Sequence, residues 1–210
     1  MPERLERYLR ELFFVEDAAL VAIRGRQAAA NLPSINVSAD EGRLLAVLLT
    51  AVGARRVLEL GALGGYSGVW MARALPPGGK LTTVECDPSH ARVAREAYRA
   101  AGVADRVDLI EGSALEVLPT LTAGFDAVFV DADKAPMAQY FEWGVRLLRV
   151  GGLLLGDNAF HDGKVADPRV TAPDTEGVRA FNRLAATDPR VVATAVPIRD
   201  GLVVGVKVRE

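Results

Sequence analysis

The chain has 210 residues, half of them apolar and a quarter charged, with a formal net charge of −2. That size and balance describe one soluble globular domain. A weakly acidic chain lacks the basic surface that binds a phosphate backbone, so nucleic acid is not an expected partner.

Read from its start, the chain opens acidic and lacks the basic start and apolar run of a signal peptide. Residues 3–30 predict one helix, because Leu5, Tyr8, Leu9, Leu12 and Phe13 fall at three- and four-residue spacing. Asn31-Leu32-Pro33 breaks it. A second helix is expected over 39–52, with Ser38 as N-cap and Glu41 three residues on, the spacing of a capping box. Gly53 is placed to end it. The longest apolar run, 44–54, is too short to cross a bilayer, so no membrane association is expected.

From residue 54 onward the rhythm changes. Strands are expected at 56–60, 80–85, 106–111, 125–131 and 153–157, and helices at 65–75, 88–101, 113–121, 136–149 and 174–187. Several strand runs are continuously apolar, as strands covered on both faces require. Alternating strand and helix predicts a doubly wound α/β fold with a parallel sheet. Two last strands, 191–197 and 202–208, flank Ile198-Arg199-Asp200-Gly201, a hairpin signal, so the sheet should end antiparallel. The reading is one domain, with N-terminal helices over 1–53 and a Rossmann-like core over 54–210. Cys86, the single cysteine, excludes an internal disulfide and reads as a small buried residue. A reducing, cytoplasmic setting fits it.

The first strand runs into Glu59-Leu60-Gly61-Ala62-Leu63-Gly64-Gly65-Tyr66-Ser67-Gly68. Small residues let the backbone approach a ligand, and the following helix offers free N–H groups. The loop is not GxGxxG, since Leu63 stands at its third position, and no GK[ST] makes it a P-loop. A ligand without a pyrophosphate fits better. Glu59 points the same way, because a carboxylate repels phosphate and attracts an ammonium. Glu85 ends the second strand, where an acid commonly takes ribose hydroxyls. The plain alternative is that both acids are solvated strand ends.

The fourth strand ends in Asp131-Ala132-Asp133-Lys134 and the fifth in Asp157-Asn158. If those strands are neighbours, Asp131, Asp157 and Asn158 converge as three hard oxygen ligands suited to Mg²⁺. Helix capping and a turn explain the same residues without a metal.

Together ELGALGGYS, TVECDP, FVDADK, GDN and PIRDGL, preceded by INVSADEGRLL, resemble the cation-dependent catechol and caffeoyl-coenzyme A O-methyltransferase family. The resemblance covers residues 34–208. It implies a class I methyltransferase fold: a seven-stranded sheet with an antiparallel last strand. It also implies S-adenosylmethionine as cofactor, a divalent cation (Mg²⁺, or Mn²⁺ or Ca²⁺), a small vicinal-dihydroxy phenolic acceptor, and a homodimer. By position it implies Asp131, Asp157 and Asn158 as metal ligands and Lys134 as general base, with Asp131 also catalytic. It places Asn36, Val37, Glu59, Gly61, Ser67, Glu85, Ala114 and Asp131 at the cofactor. Ala114 departs from the serine of the catechol enzymes, and Ile35 from a common methionine. Two rival readings are a nicotinamide oxidoreductase and a non-catalytic cofactor-binding protein. The first lacks GxGxxG and any Tyr-x-x-x-Lys, and the second predicts damaged metal ligands, whereas all three stand.

Overall fold

The computed structural model describes residues 3–210. Three helices come first: α1 (Glu3–Phe13), α2 (Ala18–Ala29) and α3 (Ala39–Ala51). Then β1 (Arg56–Leu60), α4 (Tyr66–Ala74), β2 (Lys80–Glu85), α5 (Pro88–Ala100), β3 (Val107–Glu111), α6 (Ala114–Val117), β4 (Phe125–Val130), α7 (Met137–Leu147) and β5 (Leu148–Asp157) alternate. The chain closes with α8 (Pro173–Thr187), β6 (Val191–Val196) and β7 (Leu202–Lys207).

The seven strands form one sheet in the order β3-β2-β1-β4-β5-β7-β6, in which β7 runs antiparallel to both its neighbours. The continuous apolar runs have the expected cause. In β1, β4 and β5 successive side chains alternate between two cores. Val57, Phe129 and Leu155 pack on one face with Leu45, Val69 and Met71. Leu58, Val128 and Leu154 pack on the other with Phe141 and Phe181. The chain order reverses between β1 and β4, and ligands of such sheets bind past the strand ends at that point.

Four expectations are corrected. The helix over 3–30 is two helices, because Asp17 accepts from the Leu20 N–H at 3.0 Å and caps a new start. Ser38 is the N-cap of α3, but the capping box does not form: its side chain makes no cap bond, and Glu41 is fully buried instead. The 113–121 helix is the short α6 plus a 3₁₀ turn at Leu118–Thr120. Cys86 is exposed, since it lies just past the end of β2 where the sheet opens into a cleft. Among the described residues no helix is long and apolar enough to cross a membrane.

Candidate active site

A cavity of about 1090 Å³ opens at the C-terminal edge of the sheet. Asn36, Val37, Gly61, Ser67, Glu85, Ala114, Asp131, Lys134 and Asn158 all line it. Glu59 and Asp157 do not; both stand behind the lining, almost without solvent exposure.

Register brings these groups together. Val130 of β4 faces Leu60 of β1 on one side and Gly156 of β5 on the other. Gly61, Asp131 and Asp157 therefore follow at the ends of three adjacent strands. Gly61 has φ +95°, and a Cβ there would lie 2.2 Å from the Asp131 carbonyl oxygen. Only glycine lets the loop pass this close to the acid. Gly65, at φ +85°, then turns the chain into α4.

Glu85 organises the loop from below. One carboxylate oxygen accepts the N–H groups of Ala62 at 3.1 Å and Leu63 at 2.8 Å, and the other accepts that of Asp87 at 3.0 Å. His90 Nδ1 lies 3.6 Å from the same acid. Glu59 belongs to β1, not to the loop, and accepts from Ser67 Oγ at 2.5 Å. It reaches the cavity only through that serine. Burial raises its carboxyl to about 7, against the lowering pull of Ser67 and Thr83.

The acidic pair is tightly held. Asp131 Oδ1 accepts from Lys134 Nζ at 3.0 Å. Burial lifts the Asp131 carboxyl above the usual range, Asp157 adds to this, and Lys134 opposes it. Asp157 accepts the Asn158 N–H at 2.6 Å with Oδ1 and Arg199 Nη1 at 3.1 Å with Oδ2. Asn158 has φ +61°, a conformation asparagine tolerates better than most residues. Among the described residues no three His, Cys, Asp or Glu side chains form a ready-made metal cage. The candidate set is two carboxylates and an amide.

Sequence reading missed two groups. Glu41, taken for a capping residue, has both carboxylate oxygens buried without a hydrogen-bond partner. Burial first, and Asp157 second, push its proton affinity up. Arg199, taken for a turn residue, points into the site. Tyr140, a core residue, also donates to Asp133 at 2.5 Å and lines the cavity. His161 and Asp200 also line it. Nothing in local periodicity distinguishes an inward Glu41 from an outward one.

The O-methyltransferase family model matches residues 13–208. The chain is 43% identical to a catechol O-methyltransferase of Niastella koreensis, over 98% of this chain and 92% of that one. It is 41% identical to a catechol O-methyltransferase of Mycobacterium tuberculosis, over 93% and 89%. The O-methyltransferase of Bacillus cereus, solved in complex with SAH, superposes with a TM-score of 0.92 at 38% identity, covering 97% of each chain. The sheet order, the glycine loop beside an acidic strand end, and these relatives together establish that this chain belongs to the O-methyltransferase family, enzymes that use S-adenosylmethionine.

Proposed function

We propose that the protein transfers a methyl group from S-adenosylmethionine to one hydroxyl of a catechol-like phenol, with a divalent cation held by Asp131, Asp157 and Asn158. The observation that carries this is the close passage of Gly61 over Asp131, which joins the cofactor loop and the acidic pair in one cleft. The donor set fits a hard cation such as Mg²⁺: two carboxylates and an amide oxygen, with the unpartnered Glu41 carboxylate behind them. A cation bound there supplies a Lewis acid that lowers the pKa of a phenolic hydroxyl.

The chain's own residues do the rest. Asn36, Val37, Ser67, Glu85 and Ala114 bound the cofactor side of the cavity. The amides of Ala62 and Leu63 are held by Glu85, so the loop is set before ligand arrives. Preorganisation of that kind lowers the cost of reaching an aligned geometry. Lys134 Nζ, 3.0 Å from Asp131 Oδ1, is the general base of this reading: as the neutral amine it takes the phenolic proton and becomes the ammonium that Asp131 holds. His161 and Asp200 also line the cavity and bear on acceptor choice.

We also propose a homodimer. Helix α1 buries none of its residues, and Leu5, Tyr8, Leu12 and Phe13 are each about half exposed. A stripe of that kind suits a second copy of the chain.

The test is methyl transfer to a panel of catechols, with Mg²⁺ and then with excess chelator. Product that requires Mg²⁺ is expected. Product unchanged after rigorous metal removal would end the cation reading and leave the methyltransferase.

A further inference from the structure

Arg199 sits at the tip of the β6–β7 hairpin with φ +47°. A bulky non-glycine residue in that region is strained, and such strain persists only where surroundings impose it. What imposes it here is a three-way contact. Nη1 donates to Asp157 Oδ2 at 3.1 Å and lies 3.9 Å from the Glu41 carboxylate. Nη2 donates to the backbone carbonyl of Ile35 at 3.1 Å. The guanidinium thus joins four parts of the chain: the hairpin, the end of β5, helix α3, and the segment 35–37 that borders the cavity. Among the described residues Arg199 is the cation that faces Glu41, and Asp157 faces it too, so two acids share one guanidinium. Two carboxyl groups crowded in one buried spot need a neighbouring cation to hold either of them ionised.

We propose that Arg199 is a positioning residue that couples the cation site to the cofactor site. It fixes the outer oxygen of Asp157 with one arm of its fork and holds segment 35–37 with the other. Occupancy of the cofactor side orders Ile35, Ile35 orders the guanidinium, and the guanidinium orients Asp157. The proposal rests on the cation reading given above. It needs the fork, because a lysine ammonium is one point charge and does not span both acceptors with fixed geometry.

The experiment measures Mn²⁺ binding by electron paramagnetic resonance, with and without saturating S-adenosylhomocysteine, on the full chain. Wild type should bind Mn²⁺ at least about 5-fold tighter with S-adenosylhomocysteine present, the lower end of usual coupling. Arg199→Lys keeps the charge and should bring that ratio below about 2, while its melting temperature stays close to wild type. Arg199→Gly provides a second variant, since glycine accepts φ +47° without strain. It should lose the coupling too. Wild-type coupling in either variant overturns the proposal, as does a wild-type protein that binds both ligands independently. A wild-type protein that binds S-adenosylhomocysteine but no Mn²⁺ sinks the cation reading and, with it, this proposal.

Discussion

Gly61→Ala is the sharpest test of how the site is built. The added Cβ would lie 2.2 Å from the Asp131 carbonyl oxygen and 2.8 Å from its carbonyl carbon. Both are backbone atoms at the end of a central strand, so neither swings aside as a side-chain tip does. Two costs add. Positive φ on alanine costs about 1–2 kcal/mol. Overpacking against a fixed neighbour costs about 1–3 kcal/mol more. The sum, about 2–5 kcal/mol, is a large part of the 5–15 kcal/mol that typically holds a domain together. For a chain of this length it lowers the melting temperature by roughly 4–20 °C. Calorimetric melting of the two proteins reads this directly. Titration with S-adenosylhomocysteine on the variant that remains folded should show weakened binding, because the loop and Asp131 are forced apart. A variant that melts within a degree of wild type and binds S-adenosylhomocysteine equally well would refute the argument.

Lys134→Ala should lower turnover by about 10²–10⁴, the usual worth of a general base, while S-adenosylhomocysteine affinity changes little; unaltered turnover would make Lys134 a mere partner of Asp131. Folding stability should fall as pH rises from about 4.5 to 7. The reason is that the buried Glu59 carboxyl, raised to about 7, keeps its proton in the folded state after the unfolded chain has released it. Asp131 acts in the same direction, and so does Glu41, which burial and Asp157 raise to about 9, so the fall continues beyond pH 7. Glu59→Gln should reduce, not abolish, the slope between about pH 4.5 and 7 in urea melts recorded at several pH values, and an unchanged slope would show that Glu59 is ionised in the fold. Leu12→Glu with Phe13→Glu should convert a dimer to a monomer in sedimentation, with the melting of the core intact.

Much of the site is legible in the amino-acid sequence. The order of strands and helices follows from the change between continuous apolar runs and helical spacing. Asp131, Asp157 and Asn158 stand out because strand ends in a doubly wound sheet share one edge. Their convergence still depends on β4 and β5 being neighbours, and pairing partners are not written in either strand. The break near residue 14 is hidden because the apolar stripe of α1 continues toward α2 without a proline or glycine, and only Asp17 marks the new start.

Local sequence determined the elements, the glycine loop and the acids at the strand ends, because periodicity, turn chemistry and residue type act over a few residues. Tertiary structure alone decided where the charges point. Ser38 and Glu41 have the spacing of a cap, yet Glu41 turns inward because the hairpin, near the far end of the chain, brings Arg199 within 3.9 Å of it. Glu59 lies in the strand expected at 56–60, yet it is no solvated strand end: it is fully buried beneath Ser67, because both faces of β1 are covered and alternation puts it on the side of α4. Burial, charge pairing and proton affinity are properties of what surrounds a side chain, and those surroundings come from segments far apart in the chain.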